Sequence, residues 1–550
     1  MNSKRLTAFA FIVTCLLTLN LFRIPIAAQS SEAMYDVVIR NGRVLDGAGN
    51  PWILADVAIK DGRFVRIGKV DGKGKREIDA TGRYVSPGWI DMLDQSGGVL
   101  PRNGLAESKL QMGVTTGIAG EAGTPVPAEK LSEYFTNLQK SGISMNFGTA
   151  YSETQARVAV LGESAREPTP EELTRMGSIV ETAMKAGALG ITTALIYPPA
   201  AYSKTNELIE MGKVAGRYGG FYSSHVRGEG KELLDSIDEA ITIGEKGGLP
   251  VEIFHLKAAY QPGWGILMRQ AGEKIEAARS RGLDVAADMY LYTAGGTSLS
   301  AVVPAWASEG GNAKLMERLK DPAIRARLKN EIKTGSPGWW NILEASGGWD
   351  HVVLAEAGNK DNAKFENKSI AQIAKEVNKD PADAAFDLIL QANGRAGALY
   401  YMMGESDIET AIKFPWTSLG SDSDASLKTV DPNTVGSGHP RGYGNFPRLI
   451  AEFVRKRNVL TLPEAIRKLS GWPATRLHLA SRGFIKEGCF ADVVIFDYDK
   501  IQDNATYEHP FVFPSGIDYV LVNGQVVIDH GKHTGAKPGM VIYGPGRQSN

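Results

Sequence analysis

The stretch PGWIDMLDQSG, residues Pro87 to Gly97, decides how the chain is read. It opens on Pro-Gly, runs through the largely apolar WIDML and ends in a polar, glycine-containing loop. A short apolar run bounded by turn residues reads as a buried strand. Seven more segments of this kind follow: GVTTGIAGE, ISMNFGTAY, LGITTALIY, GGFYSSHVR, PVEIFHLKA, DVAADMYLY and WTSLGSDS. Amphipathic stretches such as NELIEMGKVAGRYG and LLDSIDEAITIGEKGG lie between them, with apolar residues at helical spacing. Strand and helix alternating eight times predict an α/β fold, a (β/α)₈ TIM-type barrel over residues 86–474. A doubly wound sheet is the alternative, but no GxGxxG follows the first strand. The segment 301–349, with its Pro-Gly-Trp-Trp turn, reads as an insertion after strand seven.

Both ends of the chain have a different texture. YDVVIRNGRVLDG, ILADVAIKDGRFVRIG and REIDATGRYVSPGWID are short strands joined by Asn-Gly and Asp-Gly turns, a strong hairpin signal. FADVVIFDYDK and YVLVNGQVVIDHGKHTG repeat the style near the C-terminus. One small β-sandwich, built from 34–85 and 475–545, is expected to flank the barrel. The 550 residues suffice for a large catalytic domain and a small one. The 61 basic and 62 acidic residues nearly cancel, which points away from nucleic acid or an anionic membrane as partner. Lys4 and Arg5 precede the apolar run Thr7 to Phe22, and small residues allow cleavage after Ala28. This reads as a signal peptide over 1–28, too short for a membrane span, and implies a periplasmic or secreted protein. Its removal leaves Cys489 alone, so no intrachain disulfide is expected.

Chemistry in such a barrel sits at the C-terminal ends of the strands. Those ends offer Asp91, Glu121, Tyr197, His225, Arg227, His255, Lys257, Tyr290, Tyr292 and Asp422. His225 and His255 end consecutive strands five and six, and Asp422 ends strand eight, so the three could converge on one metal. Neutral imidazoles suit zinc, and a carboxylate across the site can take a proton from an activated water. Each residue also has a plainer reading. A lone strand-end histidine is usually a hydrogen-bonded structural residue, Asp91 can hold a loop, and Tyr290 and Tyr292 can be packing. Asp424 competes with Asp422 for its role.

The motifs YDVVIRNGRVLDGAGNP, GVTTGIAGEAG, ALGITTALIYPPAAY, SSHVRGEG, HLKAA, ADMYLYTAGGT, GSDSD, GHPRGYGNFPR, GFIKEGCFADVVIFD and IDYVLVNGQVVI run in order along the chain. In them the sequence resembles the N-acyl-D-amino-acid deacylases, or D-aminoacylases, of the amidohydrolase superfamily, over nearly the whole mature length. The resemblance implies a zinc-bearing barrel with a β-sandwich from both termini. It further implies that His225 and His255 are metal ligands and Asp422 the general base. Lys257, Tyr290 and Arg441, with Tyr197 and Thr297, would line the substrate pocket, Arg441 meeting a carboxylate in a charge-assisted fork. The implied reaction is hydrolysis of the acyl amide of an N-acylated D-amino acid.

Two departures from the family pattern stand out. The first strand of the family ends in Asp-x-His-x-His, where this chain has Leu93 and Gln95, and no histidine precedes His225. The family's metal-binding cysteine after strand two aligns with Ala122, preceded by Glu121. Glu121 is expected as the third ligand, since two histidines and a glutamate form a working zinc set. A shift of one residue reverses the side-chain face, so it requires irregular backbone, which Gly120 and Gly123 permit. A family serine also aligns with Gly296, beside Thr297. The leading expectation is a one-zinc, exported amidohydrolase. The alternatives are a barrel that binds a small acylated ligand without turnover, or an amidohydrolase for a cyclic amide or dipeptide.

Overall fold

The computed structural model describes residues 35–425 and 438–548, so the leader read at 1–28 lies outside the described residues. Eight parallel strands form the barrel: β1 Trp89–Asp94, β2 Val114–Ala119, β3 Asn146–Thr149, β4 Gly190–Ala194, β5 Phe221–His225, β6 Val251–Ile253, β7 Val285–Met289 and β8 Thr417–Leu419. Pairing runs β1–β2–β3 and β4–β5–β6–β7–β8. The Leu189 amide bonds the Thr149 carbonyl at 3.0 Å where β3 meets β4. On the other side the Asp422 amide bonds the Leu93 carbonyl at 2.8 Å and closes β8 onto β1. Every residue of β1 and β2 is buried, as strands covered on both faces require.

The outer helices bury one stripe each. In Thr205–Arg217, Leu208, Met211 and Ala215 recur at helical spacing and face the sheet. Pro170–Ala186 begins where the sequence places its start signals, with Thr169 and Glu172 closing a capping box around Pro170. No helix among the described residues is long and apolar enough to cross a membrane.

After β7 the chain leaves the barrel. Ala294–Ser298, Val352–Glu356 and Gly397–Tyr401 pair as a three-stranded antiparallel sheet with Gly397–Tyr401 in the middle. This unit has its own core, including Leu299, Val302, Phe386 and Tyr400, and the segment 301–349 lies within it. The two chain ends form one nine-stranded sheet. Val37, Ile39 and Val57 from one end share a core with Val493, Ile495 and Leu521 from the other, and buried Cys489 lies there too. The fold is therefore the expected α/β barrel with a small β domain drawn from both termini.

One buried cluster locks the β1–β8 seam. Lys109 Nζ lies 2.9 Å from Asp91 Oδ2 and 2.8 Å from Asp94 Oδ1, with all three side chains fully buried. It also donates to Ser421 Oγ at 2.7 Å and to the Ser423 carbonyl at 2.6 Å. Burial works against the charge on Lys109, but the two aspartates outweigh it and hold the ammonium protonated. Asp91 thus has the loop-holding role, its other oxygen accepting the Ser421 amide at 2.8 Å. Lys109→Met would strand two buried carboxylates and should cost about 3–5 kcal/mol. Urea unfolding measures this, and a loss under about 1 kcal/mol would mean the cluster does not hold the seam.

Candidate functional site

Three side chains converge at the mouth of the barrel. His225 ends β5, and its Nδ1 lies 3.1 Å from Glu121 Oε1. His255 follows β6, and its Nε2 lies 3.1 Å from the same oxygen. One donor atom from each falls within 4.8 Å of the others, and all three residues are buried. The backbone explains how Glu121 gets there. β2 ends at Ala119, and Gly120 and Gly123 take φ of 130° and 91°, conformations that favour glycine. A Cβ on Gly120 would come 2.6 Å from the Ala150 carbonyl, so no other residue fits at that turn. The turn points Glu121 inward and leaves Ala122 exposed.

His255 and Asp422 also sit just past their strands with left-handed backbone, φ 34° and 47°. Such strain persists only where surroundings impose it. For His255 the constraint is a bond from its amide to buried Asp288 Oδ1 at 2.9 Å.

Two residues that sequence reasoning did not assign complete the arrangement. Glu229, four residues after His225, is buried with Oε1 2.6 Å from Lys257 Nζ and 3.3 Å from His255 Nδ1. Burial raises its carboxyl, but Lys257 and the two histidines overcome that and keep it ionised. The spacing in SSHVRGEG is the one sequence signal that could have found it. Gln95, in the position of a missing family histidine, donates Nε2 to Glu121 Oε2 at 2.5 Å and to Asp422 Oδ1 at 3.4 Å. It leaves Glu121 Oε1 free to face the histidines.

Across the cavity lies Arg441, buried. Its Nη1 is 2.8 Å from Asp422 Oδ2, off the hydrogen-bond line, and its Nη2 donates to the Gly296 carbonyl at 3.3 Å. Nε and Nη1 find no hydrogen-bond acceptor among the described residues. Tyr290 lies between two cations, Arg441 at 4.7 Å and Lys257 at 5.6 Å from its ring centre. Burial keeps its hydroxyl neutral. Tyr197 donates to Thr297 Oγ1 at 2.9 Å on the remaining wall. Together these residues line a cavity of about 210 Å³.

Others of the strand-end candidates lie elsewhere. Arg227 pairs with Glu239 at 2.9 Å and bonds the Ala201 and Ser203 carbonyls, and Tyr292 bonds Asp503 at 2.9 Å. Asp424 is exposed.

Burial, two imidazoles and a carboxylate make a donor set that fits a zinc ion. Burial alone would raise the Glu121 carboxyl, but hydrogen bonds from His225 and His255 outweigh it and hold it well below its ordinary range. Burial lowers His225, which is neutral, so its single ring proton can move to Nε2 and leave Nδ1 open to a metal. Burial and Lys257 also press His255 down, yet Glu121 and Glu229 lift it to about 9. A metal must therefore displace a proton from His255 at neutral pH. Zinc affinity should rise about tenfold per pH unit from pH 6 up to about pH 9, then level off. Titration of the metal-free protein at three pH values checks this, and a flat profile would contradict it.

An amidohydrolase family model matches residues 371–528. An N-acyl-D-aspartate deacylase of Alcaligenes xylosoxydans xylosoxydans is 30% identical over 539 residues, covering 94% of this chain and 96% of that protein. A D-aminoacylase of the same organism is 29% identical, covering 94% and 99%. The crystal structure of an N-acyl-D-glutamate deacylase from Bordetella bronchiseptica, complexed with zinc and a phosphonate mimic of the tetrahedral intermediate, superposes with TM-score 0.77. It is 26% identical, with 93% of this chain and all of that one covered. End-to-end similarity in sequence and fold, around a buried pair of histidines and a glutamate, means that the chain belongs to the N-acyl-D-amino-acid deacylases of the amidohydrolase superfamily.

Proposed function

We propose that this protein is a one-zinc hydrolase that cleaves the amide bond of N-acyl-D-amino acids, releasing a carboxylate and a free D-amino acid. The observation that carries the reading is the buried Arg441, ion-paired with Asp422 but with Nε and Nη1 making no hydrogen bond among the described residues, facing Glu121, His225 and His255 across one small cavity. Asp422 lies off the line of those donors, so the guanidinium fork stays open to a substrate carboxylate, which it matches in two parallel bonds. The D configuration follows the relatives, whose names all carry it.

Glu121 Oε1, His225 Nδ1 and His255 Nε2 would hold the ion, which when bound supplies Lewis acidity to the scissile carbonyl and to the attacking water. Asp422 takes the proton of that water and hands it to the leaving nitrogen. Arg441 receives the substrate carboxylate beside the Tyr290 ring, which fixes the amide relative to Asp422. Lys257 adds positive charge on the same side while Glu229 holds it in place. Gln95 bridges Glu121 and Asp422 where the family pattern has a histidine, which supports one ion rather than two.

Export belongs to the same proposal: cleavage after Ala28 would release a chain beginning at Gln29. Mass spectrometry of the N-terminus in the producing cell tests that part. The activity is tested by amine release from paired N-acetyl-D- and N-acetyl-L-amino acids with zinc added. Release from the D forms alone is expected; release from the L forms alone, or none from either form by a zinc-loaded chain whatever the length of the acyl group, would overturn the reading.

A further inference from the structure

The catalytic cavity, about 210 Å³, is small beside ordinary ligand sites of roughly 300–1,000 Å³. It holds little beyond an amino acid and the carbonyl to be cleaved. A second cavity of about 310 Å³ adjoins it and shares four wall residues with it: Ile196, Tyr197, Trp340 and Ile342. One side of this second cavity is the turn that follows β4. The other is the insertion, from Ala301 through Leu315 to the Trp339–Trp340 pair. The hydroxyl of Tyr202 donates to the Ala305 carbonyl at 2.9 Å and ties the two sides together.

We propose that this cleft is the acyl-chain subsite, and that the natural substrate carries an unbranched acyl chain well beyond acetyl. The inference rests on the deacylase reading and extends it to the other half of the substrate. An amide has two substituents, so fixing one end fixes the direction of the other. Arg441, which takes the carboxylate, lies with Asp422 on the wall shared with a third cleft, whose other charged side chains are Arg102, Arg395, Glu356 and Asp424. The carboxylate-bearing half belongs on that side. The acyl half then points toward Ile196, Trp340 and Ile342. The cleft beyond them offers a hydrocarbon the apolar surface of Ala301, Val303, Ala305 and Leu315, with Ser300, Ser308 and Asn312 on the same walls. Among its described lining residues only one side chain is charged at neutral pH, the acid Glu163, which repels a carboxylate. The polar end of the substrate is thereby excluded from it.

The test measures kcat/KM of the zinc-loaded chain for N-acetyl-, N-hexanoyl- and N-decanoyl-D-alanine. A buried methylene is worth a factor of about four, so the hexanoyl substrate should exceed the acetyl one at least tenfold, even with partial burial. Ala301→Trp would fill the half-buried far wall and should lower the decanoyl-to-acetyl ratio at least tenfold. Ala305→Trp provides a second obstruction should the first variant fold poorly. Equilibrium binding of N-decanoyl-D-alanine to Asp422→Asn, with and without Ala301→Trp, gives a readout that needs no turnover. Acetyl turnover with a flat chain-length profile overturns the subsite and leaves the deacylase reading standing. No turnover of any substrate overturns that reading instead. In that event, weaker decanoyl binding in the Ala301→Trp background still upholds the cleft, and unchanged binding refutes it.

Discussion

Asp422→Asn should lower kcat by about a thousandfold while the folded protein keeps its zinc. The substitution preserves size and one acceptor oxygen and removes the negative charge together with the ability to take up a proton. The backbone tolerates it, because Asp422 sits at φ 47°, where Asn is accepted as readily as Asp. The amide bond to the Leu93 carbonyl, which closes the barrel, involves main-chain atoms alone and survives. Asp422 lies outside the three-residue donor group, so zinc content should match the wild type. KM is a second readout. Arg441 Nη1 lies 2.8 Å from the Asp422 carboxylate, and loss of that charge frees the guanidinium for substrate. KM should therefore hold steady or fall while kcat collapses. Asp422→Ala is the poorer variant, since it also removes the acceptor oxygen beside the buried guanidinium and places a residue less suited to φ 47°. Full activity in Asp422→Asn would remove Asp422 as the base. Loss of zinc would instead make it a ligand.

The fold was legible because its signals are local. Asp61 and Gly62 form the Asp-Gly turn expected between two short strands, both with positive φ. The eight apolar runs each supply a barrel strand, and their both-face burial explains why they lack the alternation of a half-exposed strand. The site was legible where a residue type stood at a strand end, as with His225, His255 and Asp422. It was not legible where contacts span the sequence. Glu229 meets Lys257 and His255 only after β5 and β6 are laid side by side. Lys109 lies in a short helix, and nothing local distinguishes it from a solvated lysine; only closure of β8 onto β1 brings Asp91, Asp94 and the Ser421–Ser423 turn around it. Gln95 was visible as a missing histidine. Its amide bridge between two carboxylates was not, because one partner lies 26 residues away and the other 327.

Glu121→Ala should reduce zinc affinity by well over a hundredfold and abolish turnover with it. Partners that merely orient a metal ligand cost 10- to 100-fold when removed, and losing one of three ligands costs more. The two oxygens of Glu121 divide the work: Oε2 accepts from Gln95 at 2.5 Å, and Oε1 faces both imidazoles at 3.1 Å. Glu121→Gln should therefore fail almost as badly, since its amide must turn a donor toward either Gln95 or the metal. Ala122→Cys in the Glu121→Ala background distinguishes position from chemistry. The family pattern has its cysteine there, but Ala122 is exposed in this chain, on the far side of the turn set by Gly120 and Gly123. A thiolate at 122 should not restore zinc. If it did, the turn would be free to flip, and the glutamate would be one of two interchangeable ways to fill the third ligand position. If Glu121→Ala kept its zinc at wild-type affinity, the two histidines would have to bind with some other partner. Glu229, 3.5 Å from His225 Nε2 and 3.3 Å from His255 Nδ1, touches only the ring nitrogens turned away from Glu121, so it cannot fill that position without both rings turning over.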